Sequence, residues 1–148
     1  EKGITNVMAG LAGINMVYEA AGMHASLLGF CMESLVIDND MLGQAMRCVR
    51  GVEVTPEKLS LDVMAKTCLE GPGHYLGSDQ TLNLMQSEYV YPIVGDRTSP
   101  KEWAEVGKPV LLETAKKTVG TILQGPKPSH IPAEIDKAVR ERFRMHFG

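Results

Sequence analysis

A predominantly α-helical chain with two or three short strands is the fold that the sequence predicts. Three observations carry that prediction. Apolar residues recur at helical spacing through most of the longer segments. Glycine and proline fall where such helices would stop and start. Only two brief runs, Ile14–Tyr18 and Tyr75–Leu76, suit buried strands. Helix, short apolar run and small-residue loop is the rhythm of an α/β repeat, which places a site at the C-terminal end of its strand. Strands this few cannot close a sheet by themselves.

The elements follow in order. Ile4, Val7, Met8 and Leu11 share one face of a first helix over 4–12, and Gly13 is its natural C′ residue. Ile14–Tyr18 is the first candidate strand. It leads into Glu19-Ala20-Ala21-Gly22-Met23-His24, a loop in which Glu19 and His24 are the polar groups of interest. Ala25–Glu33 is apolar and ambiguous, and Ser34–Asp40 holds several cap residues. From Met41 a helix carries Leu42, Ala45, Met46, Cys48 and Val49 on one broad face. It closes with Arg47 and Arg50 near the negative end of its dipole, and Gly51 ends it.

Thr55-Pro56-Glu57 is a helix start, with Thr55 as N-cap and Pro56 at the first helical position. Leu61, Met64, Ala65 and Cys68 form that helix's stripe, and Gly71 ends it. Asp79 can cap a helix with Leu82, Met85 and Tyr89 on one side, and Tyr91-Pro92-Ile93-Val94 reads as extended. Ser99-Pro100-Lys101-Glu102 fits a capping box ahead of a small face of Trp103 and Val106 that Gly107 ends. Pro109 opens a longer helix with Leu111, Ala115, Val119 and Ile122 inward, and Gly125-Pro126-Lys127-Pro128 breaks the chain. Pro132 starts a last helix with Ile135, Ala138, Val139 and Phe143 on one side. Its end is basic, with Arg140, Arg142, Arg144 and His146, and reads as a solvated helix terminus in preference to a phosphate patch.

Composition bounds the function. The 148 residues suffice for one domain, and a net charge of -3 gives a nucleic-acid partner no general electrostatic support. No apolar run approaches the roughly 20 residues that span a bilayer, and no signal-peptide pattern is present. Cys31, Cys48 and Cys68 are odd in number and widely spaced, without metal-ligand spacing. They suggest neither a disulfide framework nor a zinc site and fit a reducing cytoplasm. Nine methionines against three phenylalanines point to a pliable core. The chain also opens inside a helical pattern with no cap before it, as a piece of a longer protein would.

The stretch Glu70-Gly71-Pro72-Gly73-His74-Tyr75-Leu76-Gly77 concentrates the chemistry. Three glycines and a proline border one imidazole and one phenol on a short connection between two helices, a setting that carries function more often than helix faces do. The alternative is a glycine C-cap followed by a short buried strand. The spacing is one residue off the dinucleotide fingerprint, and no Lys-Ser/Thr pair follows, so a phosphate cradle is not expected.

These residues, with Leu11-Ala12-Gly13-Ile14-Asn15, Glu19-Ala20-Ala21-Gly22-Met23, Leu35-Val36-Ile37-Asp38-Asn39-Asp40, Gln80-Thr81-Leu82, Ser87-Glu88-Tyr89, Asp96-Arg97 and Glu102-Trp103, carry a resemblance. The chain resembles the C-terminal part of the trimethylamine methyltransferase family, over nearly its whole length and in one register. The resemblance implies an α/β fold, the closing portion of a TIM (β/α)₈ barrel over residues 1–95, and a helical C-terminal extension over 96–148. It implies methyl transfer from a tertiary or quaternary methylamine to the Co(I) corrinoid (cobalamin) of a partner protein, with no metal bound directly. It places the pyrrolysine of the trimethylamine-using members upstream of Glu1, while members without it act on quaternary amines such as glycine betaine.

Within that frame Tyr18, Glu19, His74 and Tyr75 fall where barrel strands would end. Their roles are assigned from that position: Glu19 and Tyr18 attract the cation, while His74 and Tyr75 shape the pocket and the corrinoid approach. Glu19 and His74 are the expected catalytic residues, and Tyr18 and Tyr75 the expected substrate contacts. The expected partners are the corrinoid protein, the methylated amine and further copies of the chain in a homo-oligomer. Neither nucleic acid nor a membrane is expected. The competing reading is a free-standing helical interaction module without catalysis.

Overall fold

The computed structural model describes residues 1–126 and 129–144. Eight α-helices are assigned among them: α1 Lys2–Leu11, α2 Met32–Arg50, α3 Pro56–Leu59, α4 Leu61–Ala65, α5 Asp79–Glu88, α6 Pro100–Glu105, α7 Leu111–Gln124 and α8 Ala133–Arg142. Two strands, β1 Met23–His24 and β2 Gly29–Phe30, form an antiparallel hairpin in the register Met23 with Phe30 and His24 with Gly29. The chain is therefore mostly helical with two short strands.

The strands are not the expected ones. Ile14–Tyr18 runs as turns and irregular backbone, and Tyr75–Leu76 is a bend and turn. A strand needs a neighbour to satisfy its ladder, and neither run has one here. The hairpin instead pairs the end of the expected Glu19–His24 loop with the ambiguous stretch Ala25–Glu33. Its connection passes through Ala25, Ser26 and Leu27 at φ of 50°, 51° and 73°. Left-handed backbone of this kind disfavours non-glycine residues, and no Asn-Gly or Gly-Gly pair announces it in the sequence.

Helix α2 begins at Met32, nine residues before the expected start, so the anticipated caps Ser34–Asp40 lie inside it. The segment after Thr55 also differs. Thr55 caps α3 as expected by accepting from the Lys58 N–H at 3.2 Å, but Ser60 at φ 58° interrupts the helix. The chain resumes as α4 and then widens into a π-helical turn over Lys66–Glu70. Ser78, not Asp79, caps α5, accepting from the Thr81 N–H at 3.2 Å. The Ser99–Glu102 capping box is present in full. Leu111, not Pro109, is the first residue of α7. In the basic terminus Arg140 pairs with Asp136 at 2.6 Å and Arg142 sits over the Phe143 ring. His146, like Lys127 and Pro128, lies outside the described residues.

Packing centres on α2, against which α1 and α7 lie. The contacts use small residues. Gly3 and Gly10, seven apart and so on one face of α1, meet Met41 and Val49, and a Cβ on Gly10 would stand 2.6 Å from a Val49 methyl. Asn6 on the same face is buried, donating to Lys2 O at 3.0 Å and to Ala20 O at 3.3 Å. On α7 the residue wholly out of solvent is Ala115.

The large apolar side chains point the other way. Ile4, Met8 and Leu11, on the periodic face of α1, are 75%, 63% and 60% exposed. Met16, Met32, Met46 and Met64 are exposed as well, which corrects the assignment of methionine to the core. Leu82 and Tyr89 of the expected α5 stripe, and Ile122 on α7, are also uncovered. In total the chain exposes 12129 Å², against roughly 7,400 Å² for a compact monomer of this mass.

Two carboxylates of α2 hold the connections in place. Asp38 pairs with Lys2 Nζ at 2.6 Å and accepts the Gly22 N–H at 2.9 Å, joining α1 and the hairpin to α2. Asp40 accepts three consecutive backbone N–H groups, from Ile93 at 2.8 Å, Val94 at 2.8 Å and Gly95 at 3.0 Å. Burial pushes the Asp40 carboxyl upward, yet the three donors outweigh it and hold the group below the usual aspartate range.

Two outcomes follow. Asp40→Ala strands three donors and should destabilise the 92–96 segment by about 2–3 kcal/mol. Hydrogen exchange at Ile93, Val94 and Gly95 should then accelerate by more than about tenfold, with Asp40→Asn intermediate. Because the folded carboxyl is depressed, its contribution is complete above the unfolded value of about 3.9 and fades as pH falls through the folded value. Second, a polypeptide of these 148 residues alone should self-associate through its uncovered apolar faces. A compact monomer on size exclusion would contradict this.

Candidate functional site

The connection between the π-helical turn and α5 is built almost entirely from its own atoms. Gly71 follows the wide turn directly, and a Cβ there would lie 3.1 Å from both the Lys66 and Thr67 carbonyl oxygens, so glycine is what the turn accommodates. Gly73 takes a left-handed φ of 74° and donates its N–H to Thr67 O at 3.2 Å, closing the loop onto the turn. The Ser78 N–H donates to Tyr75 O at 3.0 Å, which fixes the other end just ahead of α5. From the first turn of α5, Gln80 Nε2 donates to Glu57 O at 2.9 Å and anchors the whole unit to α3.

His74 and Tyr75 are thereby presented on two adjoining hollows. One, of about 320 Å³, is lined by His74 with Lys66, Thr67, Gly77 and Asp79. The other, of about 470 Å³, is lined by Tyr75 and Tyr89 with Met64, Leu84, Met85 and Glu88. Val63, Ser78 and Gln80 border both. The Tyr75 hydroxyl lies 3.6 Å from Cys68 Sγ, and that thiol, together with burial, raises the phenol above its ordinary range.

Glu88 supplies a carboxylate to the second hollow, but its charge is already engaged. Arg47 reaches it at 2.7 Å, Arg50 at 2.9 Å and Lys58 at 3.6 Å. Arg47 Nε also donates to Glu88 O at 2.9 Å, satisfying a carbonyl at the C-terminal end of α5. Three cations around one acid leave little net field to attract an ammonium there, so the tyrosine faces are the available cation acceptors.

Tyr18 and Glu19 stand apart from this unit. They form a turn, with Glu19 at φ 58°, and Tyr18 is exposed. Glu19 lines a separate shallow hollow with Lys2, Met23 and His24. His24 Nε2 is itself engaged with Ser34 Oγ at 2.6 Å. The structure thus brings His74 and Tyr75 together, whereas Glu19 borders a different hollow. The sequence reading did not single out Cys68 as the partner of Tyr75, nor Thr67 and Tyr89 as lining. Tyr89 was visible as a position of the α5 stripe. Thr67 and Cys68 depend on the π-helical turn, which changes the face that each residue presents. Among the described residues no group of three His, Cys, Asp or Glu side chains is arranged to hold a metal ion. No helix among them is long and apolar enough to cross a membrane.

Comparison with known proteins places the chain. Residues 1–145 match the family model described as trimethylamine methyltransferase (MTTB). A trimethylamine methyltransferase MttB of Methanosarcina thermophila is 33% identical over 93% of this chain and 28% of the relative. The MttB of Desulfitobacterium hafniense is 27% identical over 93% of this chain and 27% of the relative. A glycine betaine methyltransferase of the same species is 26% identical over 71% of this chain and 22% of the relative. The chain spans little more than a quarter of the length of the MttB relatives. However it is placed, a match of 137 residues within 148 takes in residues 12–137, and so includes both the Tyr18–Glu19 turn and the Gly71–Gly77 loop. On the family match and the identity across nearly its whole length, the chain belongs to the trimethylamine methyltransferase family.

Proposed function

We propose that this chain forms part of a methyltransferase acting on a tertiary or quaternary methylamine, of the trimethylamine or glycine-betaine type. The observation that carries the reading is the family match, which runs through both candidate loops. The acceptor is the Co(I) corrinoid of a separate protein, which enters as a second substrate. The C–N bond breaks, the amine leaves with its electron pair, and the methyl carbon bonds to cobalt. A methylammonium is a poor electrophile, so the protein's task is to hold the cation, aim one methyl and exclude water.

In this reading Tyr75 offers an aromatic face to the cation. His74, beside it on the same rigid loop, shapes the approach to the donor nitrogen. Glu19 and Tyr18 supply a carboxylate and a second ring from the other loop. Residues 1–95 contribute the closing portion of a (β/α)₈ barrel and 96–148 its helical extension. The uncovered apolar surface supports that assignment, since barrel helices bury such faces against strands. The same surface would suit a homo-oligomer. It would equally suit a stand-alone helical module, but that reading does not account for the family match.

The test is methyl transfer by the full-length protein to a Co(I) corrinoid, across a panel of methylated amines. Transfer from at least one tertiary or quaternary amine is expected, and none from any would refute the reading. His74→Ala should lower the rate by about tenfold or more, in line with the cost of misplacing a reacting group. Unchanged transfer would remove His74 from the site.

A further inference from the structure

Asp38 makes two contacts that methyl transfer as outlined does not use, and both bear on the loop that carries Glu19. Asp38 is buried, and its Oδ2 takes the Lys2 ammonium at 2.6 Å and the Gly22 N–H at 2.9 Å. One oxygen thus couples the ammonium to the loop. Asn6, one turn beyond Lys2 on α1, is buried as well and donates to Ala20 O at 3.3 Å. The Gly22 carbonyl in turn accepts the Cys31 N–H at 3.0 Å. Ala20 and Gly22, just after Glu19, are therefore tied from α1 and α2. Glu19 itself keeps a left-handed φ of 58°. A non-glycine residue persists in that conformation where its surroundings over-determine it.

The charges are arranged to the same effect. Lys2 and Glu19 line one hollow, and no other lysine or arginine borders it. The Glu19 carboxylate nevertheless makes no ion pair or hydrogen bond with any described residue. The ammonium is committed to Asp38 instead. A buried carboxylate holds its counter-ion more strongly than one within reach of water. A cationic ligand competes with every fixed cation for an acid, so an acid left unpaired is what such a ligand needs. Glu88, with Arg47, Arg50 and Lys58 around it, is the opposite case.

We propose that Asp38 is a positioning residue for the amine cation. It ties the Glu19 loop through Gly22 and keeps the Lys2 ammonium off the Glu19 carboxylate. The purpose assigned to this arrangement rests on the proposed function, whereas the hold on Lys2 can be read without it.

The test uses the full-length protein in two arms. Zero-length carbodiimide coupling, mapped by mass spectrometry, should join Lys2 to Asp38 in the wild type and to Glu19 in Asp38→Asn. Tetramethylammonium binding, followed by saturation-transfer NMR, should weaken by about fivefold or more in Asp38→Asn, within the range for coupled neighbours. Adding Lys2→Met should restore it. In a Glu19→Gln background Asp38→Asn should weaken binding no further, whereas a residue acting only through stability would add its loss there too. Lys2 that never couples to Glu19, a loss that Lys2→Met does not restore, or losses that multiply would each overturn the inference and leave the proposed function standing. A wild type that binds no methylammonium, with both couplings as expected, would fault the proposed function and with it the purpose assigned to Asp38.

Discussion

The fold depends on two acids inside one helix. Asp38 and Asp40 sit two residues apart on α2, too close to share a helix face, so each reaches a different neighbour. Asp38 gathers the α1 terminus and the Gly22 turn, while Asp40 takes the amides of Ile93, Val94 and Gly95. Buried carboxylates are costly unless their oxygens are satisfied. These are satisfied by an ammonium in one case and by consecutive backbone donors in the other. Three segments distant in sequence are thereby referred to one rigid helix without a large apolar core.

That economy of core has a counterpart in how the helices meet. Gly3 and Gly10 receive the Met41 and Val49 side chains of α2, and on α7, the other helix against α2, the fully buried residue is Ala115. Close approach through small residues leaves each helix's large apolar side chains on the outside. For α1 the stripe that would drive its burial is the one left bare. The excess surface over a compact monomer is therefore a property of which face each helix offers its neighbours. A chain that spends its small residues on internal contacts keeps its large ones for an external surface.

Local signals were legible in the sequence, and signals that depend on a neighbour were not. The Thr55 cap, the Ser99–Glu102 capping box and the glycine ends at Gly13, Gly51 and Gly107 need only a few adjacent residues, and each is present. The start of α2 was misplaced because Asp38 and Asp40 look like caps when their tertiary partners are unseen. The two expected strands failed because a strand is defined by its partner, and periodicity cannot supply one. The stripe on α1 was legible as a face, but amphipathicity does not say what covers it, and here it is bare. In the site, His74 and Tyr75 stood out because glycine and proline crowd around them. Thr67 and Cys68 did not, because a π-helical turn leaves no compositional mark.

The two halves of the candidate site differ in what holds them. Around His74 and Tyr75 the Thr67 carbonyl, the Ser78 amide and the Gln80 side chain form a closed set of ties within residues 57–80. Nothing in that set lies outside this one segment, so the backbone that carries His74 and Tyr75 is tied from within. The backbone leading to Tyr18 and Glu19 has no such set. Ile14 donates to Ala9 O at 3.2 Å, and the next tie downstream is Asn6 to Ala20 O. Of the five residues between them, Asn15, Met16, Val17 and Tyr18 are exposed, with Met16 and Tyr18 among the most exposed side chains described. An apolar segment gains stability from cover that it lacks here. His74 lies on the segment tied from within, whereas Glu19 borders a different hollow beside an apolar run that is bare.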